Sequence, residues 1–572
     1  MPYRPYFSDY GRASRPSGPQ VLPYLLVAAL AFGGIFLLHN GSGVIPVNPP
    51  AVLSLSGTLL DANTGVPLTG IVIGARDASA PGAIQLAQET GSSPPIDATG
   101  TITVAGATTN ALTPPPAVQA PAPAITATTS TAGTFFFASL PPNPVLVVRQ
   151  DGYAPLDVPV AGRASIEIRL TPNTIRGTVT STDGKPVGGA LVVAGDARTL
   201  PGADGAYLLR DITPDPQGYS LVVKAPGYLA GRARLAQTGI QNISVEPFAA
   251  RAVYVSADTV ADPTRFAALL ALADKTEINA MVIDIKKDTD GYVLYDTKVP
   301  DVIAIGAVNP IIPNLDALLQ TLHDHHIYAI ARLPLFWDEK LAQARPDWAI
   351  RSKSKGGLWT DAYGHHWTNP RRPEVWAYNL AIAVEAAQRG FDEIQFDYVR
   401  FPSDGNLSDA DYGPTTLNDS TRSQVIAQFL AKAQAALSPL GTFVAADVFG
   451  LTPIVNDDQG IGQKFEDIAD QVDFICPMAY PSHYADGFMS FPHPAEHPAE
   501  VVGLTLQAAQ AKLAGRHARL RPWLQDFTLY GITYDVTRVR AEIDTADVMG
   551  TLGWMLWNYD NTYTVGALHA AQ

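Results

Sequence analysis

The C-terminal half of the chain alternates apolar runs with helical patterns, and this alternation constrains the fold more than any other feature. The helical patterns include 263–275, 315–323, 373–389 and 421–437. Strand-like runs begin near Ala252, Ala280, Tyr328, Glu393, Thr442, Asp473, Arg519 and Gly553. Eight strand–helix units in about 320 residues predict a (β/α)8 or TIM barrel at 250–572. A doubly wound sheet is the alternative, but it would not need eight strands.

Polar and aromatic side chains are concentrated where the predicted strands end. In a TIM barrel the carboxyl-terminal strand ends carry the active site. Carboxylates follow five of these strands and aromatic residues lie among them, which ordinary loop solvation does not explain. The predicted substrate-binding residues are Asp284, Lys286, Arg332, Trp337, Gln395, Arg400, Tyr480, Trp523, Gln525, Trp557 and Asp560.

Carboxylates beside aromatic rings, without a phosphate loop or a Cys/His metal spacing, indicate a sugar ligand and no cofactor. Glycoside hydrolysis requires two carboxyl groups across the scissile bond. Asp397 is the predicted nucleophile, because Arg400 or Lys286 nearby would keep it ionised. Asp447, one strand along, is the predicted acid, and Asp526 is the reserve for either role. A metal-dependent esterase is a weaker option, because these strand ends supply no His/Asp metal set.

Four motifs give this region a family resemblance. From Ala252 to Ala570 the chain resembles a family of barrel-fold glycoside hydrolases known mainly from sequence. The motifs are TEINAMVIDIK at 276–286, ARPDW at 344–348, WTNP at 367–370 and GFDEIQFDYVRFP at 390–402. The resemblance implies hydrolysis of O-glycosyl bonds in a polysaccharide or oligosaccharide.

The fourth predicted strand also resembles strands of better-known barrels. Gly390, Phe391, Asp392 and Asp397 match the catalytic strand of family 18 chitinases, but Val399 stands where that family has its acid glutamate. The substrate-assisted chitinase mechanism therefore does not transfer to this chain. The α-amylase-like arrangement places carboxylates on strands four, five and seven, which are the strands of the three predicted catalytic residues.

Upstream of the barrel, the stretches 52–171 and 172–248 resemble each other. Each opens on Gly-Thr, returns through a Gly-x-aromatic strand and closes on Gly-Tyr, with short alternating strands between turns. Such spacing predicts two small β-sandwiches. The pattern is similar to the carboxypeptidase regulatory-like domain, which implies a spacer or carbohydrate-binding role. An Ala/Thr/Pro-rich insertion at about 79–130 is expected to be an extended excursion, because it cannot bury a core.

The N-terminus predicts the location of the protein. Val21–Leu38 is an uncharged run of 18 residues, enough for a transmembrane helix. Three arginines precede it and the next Lys or Arg is Arg76, so the positive-inside bias predicts a cytoplasmic tail at 1–20. Everything after a linker at 39–51 would lie outside the cytoplasmic membrane. A cleaved signal peptide is the rival interpretation, but no A-x-A-like site ends the run.

Charge and cysteine content narrow the remaining possibilities. The net charge of −15 argues against nucleic acid as a partner, and the single cysteine excludes an intramolecular disulfide. The sequence thus predicts a multidomain, membrane-anchored extracytoplasmic glycoside hydrolase that uses paired carboxylates for acid/base chemistry. The alternative is a catalytically silent glycan-binding barrel presented on β-sandwich spacers.

Overall fold

The computed structural model describes residues 54–79, 125–213, 215, 217–288, 290–414 and 417–571, which belong to one compact unit. The predicted cytoplasmic tail, the transmembrane segment at 21–38 and the linker at 39–51 lie outside the described residues. Within the described ranges, no helix combines the length and the apolar character needed to cross a membrane.

The first β-sandwich packs two sheets around one apolar core. Its strands are Thr134–Phe137, Leu55–Asp61 and Ser165–Leu170 in one sheet, and Ile125–Thr128, Val72–Asp77, Pro144–Val148 and Leu156–Pro159 in the other. In Ser165–Leu170 every second residue is buried, as expected for a strand with one face on a core. The insertion predicted at about 79–130 extends too far at its C-terminal end. Ile125–Thr128 is a strand that pairs with Val72–Asp77, and two of its apolar side chains pack against the core.

The second β-sandwich repeats the first. One sheet contains Ala206–Leu209, Ile175–Ser181, Gly239–Ile240 and Ile243–Val245, and the other contains Ala197–Thr199, Leu191–Ala194, Tyr219–Lys224 and Gly231–Leu235. Leu55–Asp61 and Ile175–Ser181 have the same burial pattern. The repeated Gly-x-aromatic motif has a steric cause: Gly133 adopts φ +70°, and a Cβ there would lie 2.7 Å from the Leu59 carbonyl oxygen.

Eight parallel strands form the closed barrel that the alternation predicts. In chain order they are Ala250–Val255, Ala280–Asp284, Tyr328–Pro334, Glu393–Asp397, Phe443–Phe449, Phe474–Met478, Arg519–Leu520 continued by Trp523–Gln525, and Gly553–Trp557. The eighth strand pairs with the first, and the fifth pairs with the sixth, so the sheet closes. We refer to them as the first to eighth strands.

Helices connect the strands, and the predicted ones agree with the structure to within two residues. They are Ala257–Ala261, Pro263–Lys275, Pro300–Ala304, Leu315–Asp324, Glu339–Ala344, Pro373–Arg389, Asp419–Leu437, Phe465–Ala469, Pro498–Leu513 and Val536–Val548. Short 3₁₀ helices occur at Leu407–Asp409, Ser438–Leu440, Pro481–His483, Phe488–Ser490, Pro494–Glu496 and Val565–Ala567, and the loops hold a two-stranded pair, Arg351–Ser352 with Ala410–Asp411.

The barrel interior is packed with side chains from alternate strand positions. At its amino-terminal end, Arg521 forms a buried ion pair with Glu393 at 2.8 Å and lies over the Phe474 ring. Tyr328 donates a hydrogen bond to Glu393 at 3.2 Å. This end is therefore a filled core in which the buried charges are paired.

The second β-sandwich covers the same amino-terminal end. Lys224 reaches from the sandwich to Asp473, which precedes the sixth strand, with 2.8 Å between Nζ and Oδ2. The same ammonium donates to Ser438 Oγ at 3.0 Å and to the Thr442 carbonyl at 3.2 Å. Buried, satisfied contacts of this kind fix the sandwich to the barrel and leave the opposite, carboxyl-terminal end free for a ligand.

Candidate functional site

Arg332, at the end of the third strand, organises the carboxyl-terminal end of the barrel. Its Nε and Nη2 donate to Asp397 Oδ2 at 2.9 and 2.6 Å, and its Nη1 donates to Asp284 Oδ1 at 2.7 Å. Asp288 accepts a further bond from Nη2 at 3.3 Å. Burial opposes the charge, but the three carboxylates outweigh it and raise the pKa of Arg332. The planar guanidinium thus holds three carboxylates in fixed positions.

Two aromatic rings line the wall beside Arg332. Tyr254 stacks on Trp557 with 4.1 Å between ring centroids, and the Arg332 guanidinium lies 5.2 Å from the Trp557 centroid. The Tyr254 hydroxyl donates to Asp284 Oδ2 at 2.5 Å. Trp557 was predicted from the sequence and Tyr254 was missed, although its alternation with Ala252 along the first strand indicates a side chain that points into the barrel.

Asp447, on the fifth strand, is a buried carboxyl group without a cation partner. Trp523 Nε1 donates to Asp447 Oδ1 at 2.8 Å, and Asp447 makes no ion pair with any residue that the structure describes. Burial, followed by the negative charge of Asp397, raises the pKa of Asp447 well above its ordinary value. This environment favours the protonated form, which is what a general acid requires.

The strand register places the two predicted catalytic carboxyl groups side by side. Phe396 pairs with Ala446 across the fourth and fifth strands, so the next residues along are Asp397 and Asp447. Neighbouring strands lie about 4.8 Å apart, and residues at equivalent positions point to the same face. Asp397 is bonded to Arg332, whereas its neighbour Asp447 has no cation partner among the described residues. Two neighbouring carboxyl groups whose environments push their pKa values apart are suited to separate acid and base roles.

The backbone turns sharply directly after Asp397. Tyr398 adopts φ +48°, in the left-handed region that bulky residues rarely occupy, and its N–H donates to Asp397 Oδ1 at 2.6 Å. Its ring lies 4.8 Å from the ring of Trp337, and burial followed by the charges of Asp288 and Asp397 raises the pKa of its hydroxyl. Backbone strain of this kind is concentrated at functional sites.

Arg400 was predicted to keep Asp397 ionised, but the two side chains form no ion pair, although the charge of Asp397 acts on Arg400. Its guanidinium lies over the rings of Trp367, Tyr398 and Phe449 at 5.1, 5.2 and 4.9 Å. Its Nη1 donates to the Phe401 carbonyl at 3.1 Å, and burial lowers the pKa of the side chain. The arginine that bonds Asp397 comes from the third strand instead.

Lys286 was the other predicted partner of Asp397, and it is also placed elsewhere. The second strand ends at Asp284, so the alternation of faces does not continue to Lys286. The lysine has no exposed surface and forms an ion pair with Asp338 at 2.7 Å. It also donates to Asn379 Oδ1 at 2.9 Å. A side chain sealed in this way cannot bind a substrate.

Gln395 lies one layer below Asp397 and is fully buried. Its Nε2 donates to Met555 Sδ at 3.2 Å, and its Oε1 has no hydrogen-bond partner among the described residues. In contrast to its predicted role in substrate binding, Gln395 has no exposed surface through which to contact a substrate.

Three predicted residues at the ends of the seventh and eighth strands, or just after them, stabilise loops. Thr564 donates to both carboxyl oxygens of Asp526, at 2.6 and 2.8 Å. Gln525 accepts from the Ser482 N–H at 3.1 Å and so ties two loops together. Asp560 is exposed, and its backbone carbonyl accepts a bond from Arg265. These contacts leave Asp397 and Asp447 as the paired carboxyl groups.

Tyr480 marks the other side of the site. Burial, followed by the charges of Asp447 and Asp397, raises the pKa of its hydroxyl, so the ring lies within electrostatic reach of both acids. Its centroid is 5.6 Å from that of Phe527 and 5.3 Å from that of His483. The described part of the chain contains no cluster of His, Cys, Asp and Glu suited to holding a metal ion.

Comparison with known proteins gives the following matches. Residues 252–563 match the model of the family described as "Putative glycosyl hydrolase domain", and residues 174–253 match the carboxypeptidase regulatory-like domain. Among solved structures, a hypothetical protein from Ruminiclostridium thermocellum ATCC 27405 is 39% identical over 34% of this chain and 97% of that chain, with a TM-score of 0.31. The PgaB (BpsB) glycoside hydrolase domain from Bordetella bronchiseptica is 14% identical over 55% and 95%, with a TM-score of 0.43. No curated protein matches the chain.

Proposed function

The chain belongs to the family described as "Putative glycosyl hydrolase domain", and from this premise we propose that it hydrolyses a polysaccharide outside the cytoplasmic membrane. The observation that carries the proposal is the pair Asp397 and Asp447. These acids occupy equivalent positions on neighbouring strands, yet one is bonded to Arg332 and the other has a raised pKa. Two carboxyl groups in contrasting environments are what glycoside hydrolysis requires.

In the proposed reaction, Asp447 donates its proton to the glycosidic oxygen as the bond to the anomeric carbon breaks. Asp397 acts on the opposite side, either as the nucleophile or as the base that activates water. As the nucleophile, Asp397 forms a glycosyl ester that water then cleaves, and the proton released by that water restores Asp447. As the base, Asp397 takes the proton of the attacking water and returns it to solvent, and Asp447 is reprotonated from solvent. Arg332 holds Asp397 in position and offsets the negative charge of the surrounding acids.

Aromatic rings at the mouth suit a sugar substrate. Trp557 is half-buried beside Arg332 and stacks on buried Tyr254, and half-buried Trp337 lies against Tyr398 after the fourth strand. Such rings stack on the apolar faces of pyranoses. The Asp288 side chain is 34% exposed and can accept hydrogen bonds from sugar hydroxyls.

A second candidate function is glycan binding without hydrolysis. Asp447 is only 1% exposed, and Arg332 donates twice to one oxygen of Asp397. If those contacts persist when a glycan binds, the barrel holds the sugar without cleaving it.

Release of reducing ends by the full-length protein tests the two functions. The substrates are α- and β-linked polysaccharides, including peptidoglycan glycans. We expect one of them to be cleaved by the wild type and not by Asp397→Asn, with similar melting temperatures. Asp258→Asn, at an exposed aspartate in the helix after the first strand, is the matched control and should retain activity. Binding of one glycan without cleavage of any would instead establish the silent barrel.

The proposed location rests on the uncharged run Val21–Leu38 and the arginines before it. We expect the full-length protein to sediment with membranes, and its barrel to be digested by protease added outside intact spheroplasts. Deletion of 21–38 should release the protein from the membrane fraction. Protection of the barrel from external protease would contradict the proposed orientation.

A further inference from the structure

A cavity of 720 Å³ opens between the loops that follow the sixth and seventh strands. This volume lies within the range of about 300–1,000 Å³ that is usual for ligand pockets. Asp397, Asp447 and Arg332 are not among the residues that line it. Its walls include Ser482, His483, Asp486, Glu496, Tyr530 and Ile532.

Aromatic side chains connect this cavity to the catalytic carboxyl groups. Tyr480 lies within electrostatic reach of Asp447, and its ring contacts His483, which lines the cavity. Phe527 completes the group, with its ring 5.8 Å from His483. The hydrogen bond from the Ser482 N–H to Gln525 fixes this loop to the seventh strand. The buried ring of Tyr480 and the ring of His483 therefore lie between the acid pair and the cavity.

Tyr530 is the feature of the cavity that the fold does not explain. Its side chain is 82% exposed, at the tip of a tight turn closed by a bond from the Ile532 N–H to the Leu529 carbonyl. Both central residues have positive φ, +52° for Tyr530 and +78° for Gly531. Turns of this kind normally contain Asn, Asp or Gly, so a bulky aromatic residue here is strained and exposed without packing benefit.

The remaining walls supply hydrogen-bonding groups, among them the carboxylates of Asp486 and Glu496. Asp486 bonds the His493 imidazole at 3.3 Å, and Glu496 is exposed beside them. Carboxylates accept hydrogen bonds from sugar hydroxyls and repel acidic sugars. A flat exposed ring that lines the same cavity as these acceptors fits an uncharged pyranose.

We propose that this cavity is a distal subsite that binds neutral sugar units of the polysaccharide chain, with Tyr530 as the stacking platform. The inference rests on the proposed function and adds a binding site at a distance from the acid pair. It explains why an aromatic residue occupies a strained, solvent-exposed turn.

The test measures how chain length affects hydrolysis by the full-length protein. The substrates are the shortest cleavable oligosaccharide of the polysaccharide that the wild type cleaves, and one that is four sugar residues longer. The readout is the ratio of kcat/KM for the long substrate to that for the short one. We expect Tyr530→Ala to lower this ratio about tenfold, the scale of a lost aromatic contact. Tyr530→Phe keeps the ring and should keep the ratio within about twofold.

Tyr363→Ala is the matched control, because Tyr363 is 78% exposed on a loop after the third strand. It should leave the ratio unchanged. A ratio that is the same in Tyr530→Ala and the wild type would overturn the distal subsite while leaving the hydrolase intact. Cleavage restricted to acidic polysaccharides would overturn the preference for neutral sugars. Absence of cleavage by the wild type would overturn the proposed function and this inference with it.

Discussion

The two ends of the barrel bury acidic side chains in opposite ways. At the amino-terminal end, Glu393 pairs with Arg521 and Asp473 pairs with Lys224, each at 2.8 Å. At the carboxyl-terminal end, three acids share the single cation Arg332, and Asp447 has none. Paired buried charges serve a structure, whereas an unpaired buried acid is costly and indicates a site.

Asp473 and Asp447 show what the difference does to one chemical group. Both are almost completely buried, and burial alone would raise the pKa of each. For Asp473, Lys224, His517 and the Val444 N–H outweigh burial and lower the pKa to about 2. For Asp447, the charge of Asp397 adds to burial and the pKa rises. The same residue type is therefore a fixed anion at one end and a carboxyl group that favours its protonated form at the other.

The largest expected effect is on catalysis by Asp447→Asn. Loss of the general acid should lower kcat/KM for the natural glycan by about 10³- to 10⁴-fold. With a dinitrophenyl glycoside, whose leaving group needs no proton, the loss should be about tenfold or less. Steady-state kinetics on both substrates provides the measurement. Equal losses on the two substrates would contradict the role of Asp447 as proton donor.

The next effect is on stability, from Lys224→Met at the opposite end. Removal of one partner leaves Asp473 buried and unpaired, which should lower the free energy of unfolding by about 3–5 kcal/mol. Urea denaturation monitored by fluorescence measures this change. Lys185→Met is the control, because Lys185 pairs with Asp183 on the surface, where an ion pair contributes little to stability. If Lys224→Met lowered the free energy of unfolding as little as the control does, the proposed contrast between the two ends of the barrel would be contradicted.

A smaller effect is expected in acid. Because the folded-state pKa of Asp473 is about 2 and its ordinary value is 3.8, the stability it contributes is complete above about pH 4 and is lost as the pH falls towards 2. The loss should be about 2 kcal/mol. Urea denaturation at pH 5 and pH 2.5 measures it. The double variant Lys224→Met/Asp473→Asn lacks the pair, so its stability should fall less over this range.

A further effect should be a change in the pH dependence of the unfolding free energy at higher pH. The raised pKa of Asp447 means that the folded protein keeps a proton that the unfolded chain loses above its ordinary value of 3.8. The stability contributed by the protonated form is complete below that value and is lost as the pH rises through the folded-state pKa. Asp447→Asn should therefore show a flatter dependence of unfolding free energy on pH than the wild type. Identical slopes would argue that Asp447 is ionised in the fold.

The fold was largely predictable, because periodicity is a local property of the sequence. The eight apolar runs form eight parallel strands, and the strand that begins in each Gly-x-aromatic motif lies at the equivalent sheet edge in each of the two sandwiches. The site was predicted less completely. Asp397 and Asp447 lie on neighbouring strands as expected, but Arg332, which is 65 residues away from Asp397 in the chain, takes the role given to Arg400 and Lys286.

The sequence by itself determined which strands exist, which of their ends are polar, and that carboxyl groups and aromatic rings gather there. The tertiary structure alone decided which cation meets which acid. A pKa depends on charges and solvent within a few ångströms, and closure of the barrel brings those atoms from strands that are far apart in the chain. Only the closed barrel separates Asp473, paired through the second sandwich, from Asp447, left without a cation beside Asp397.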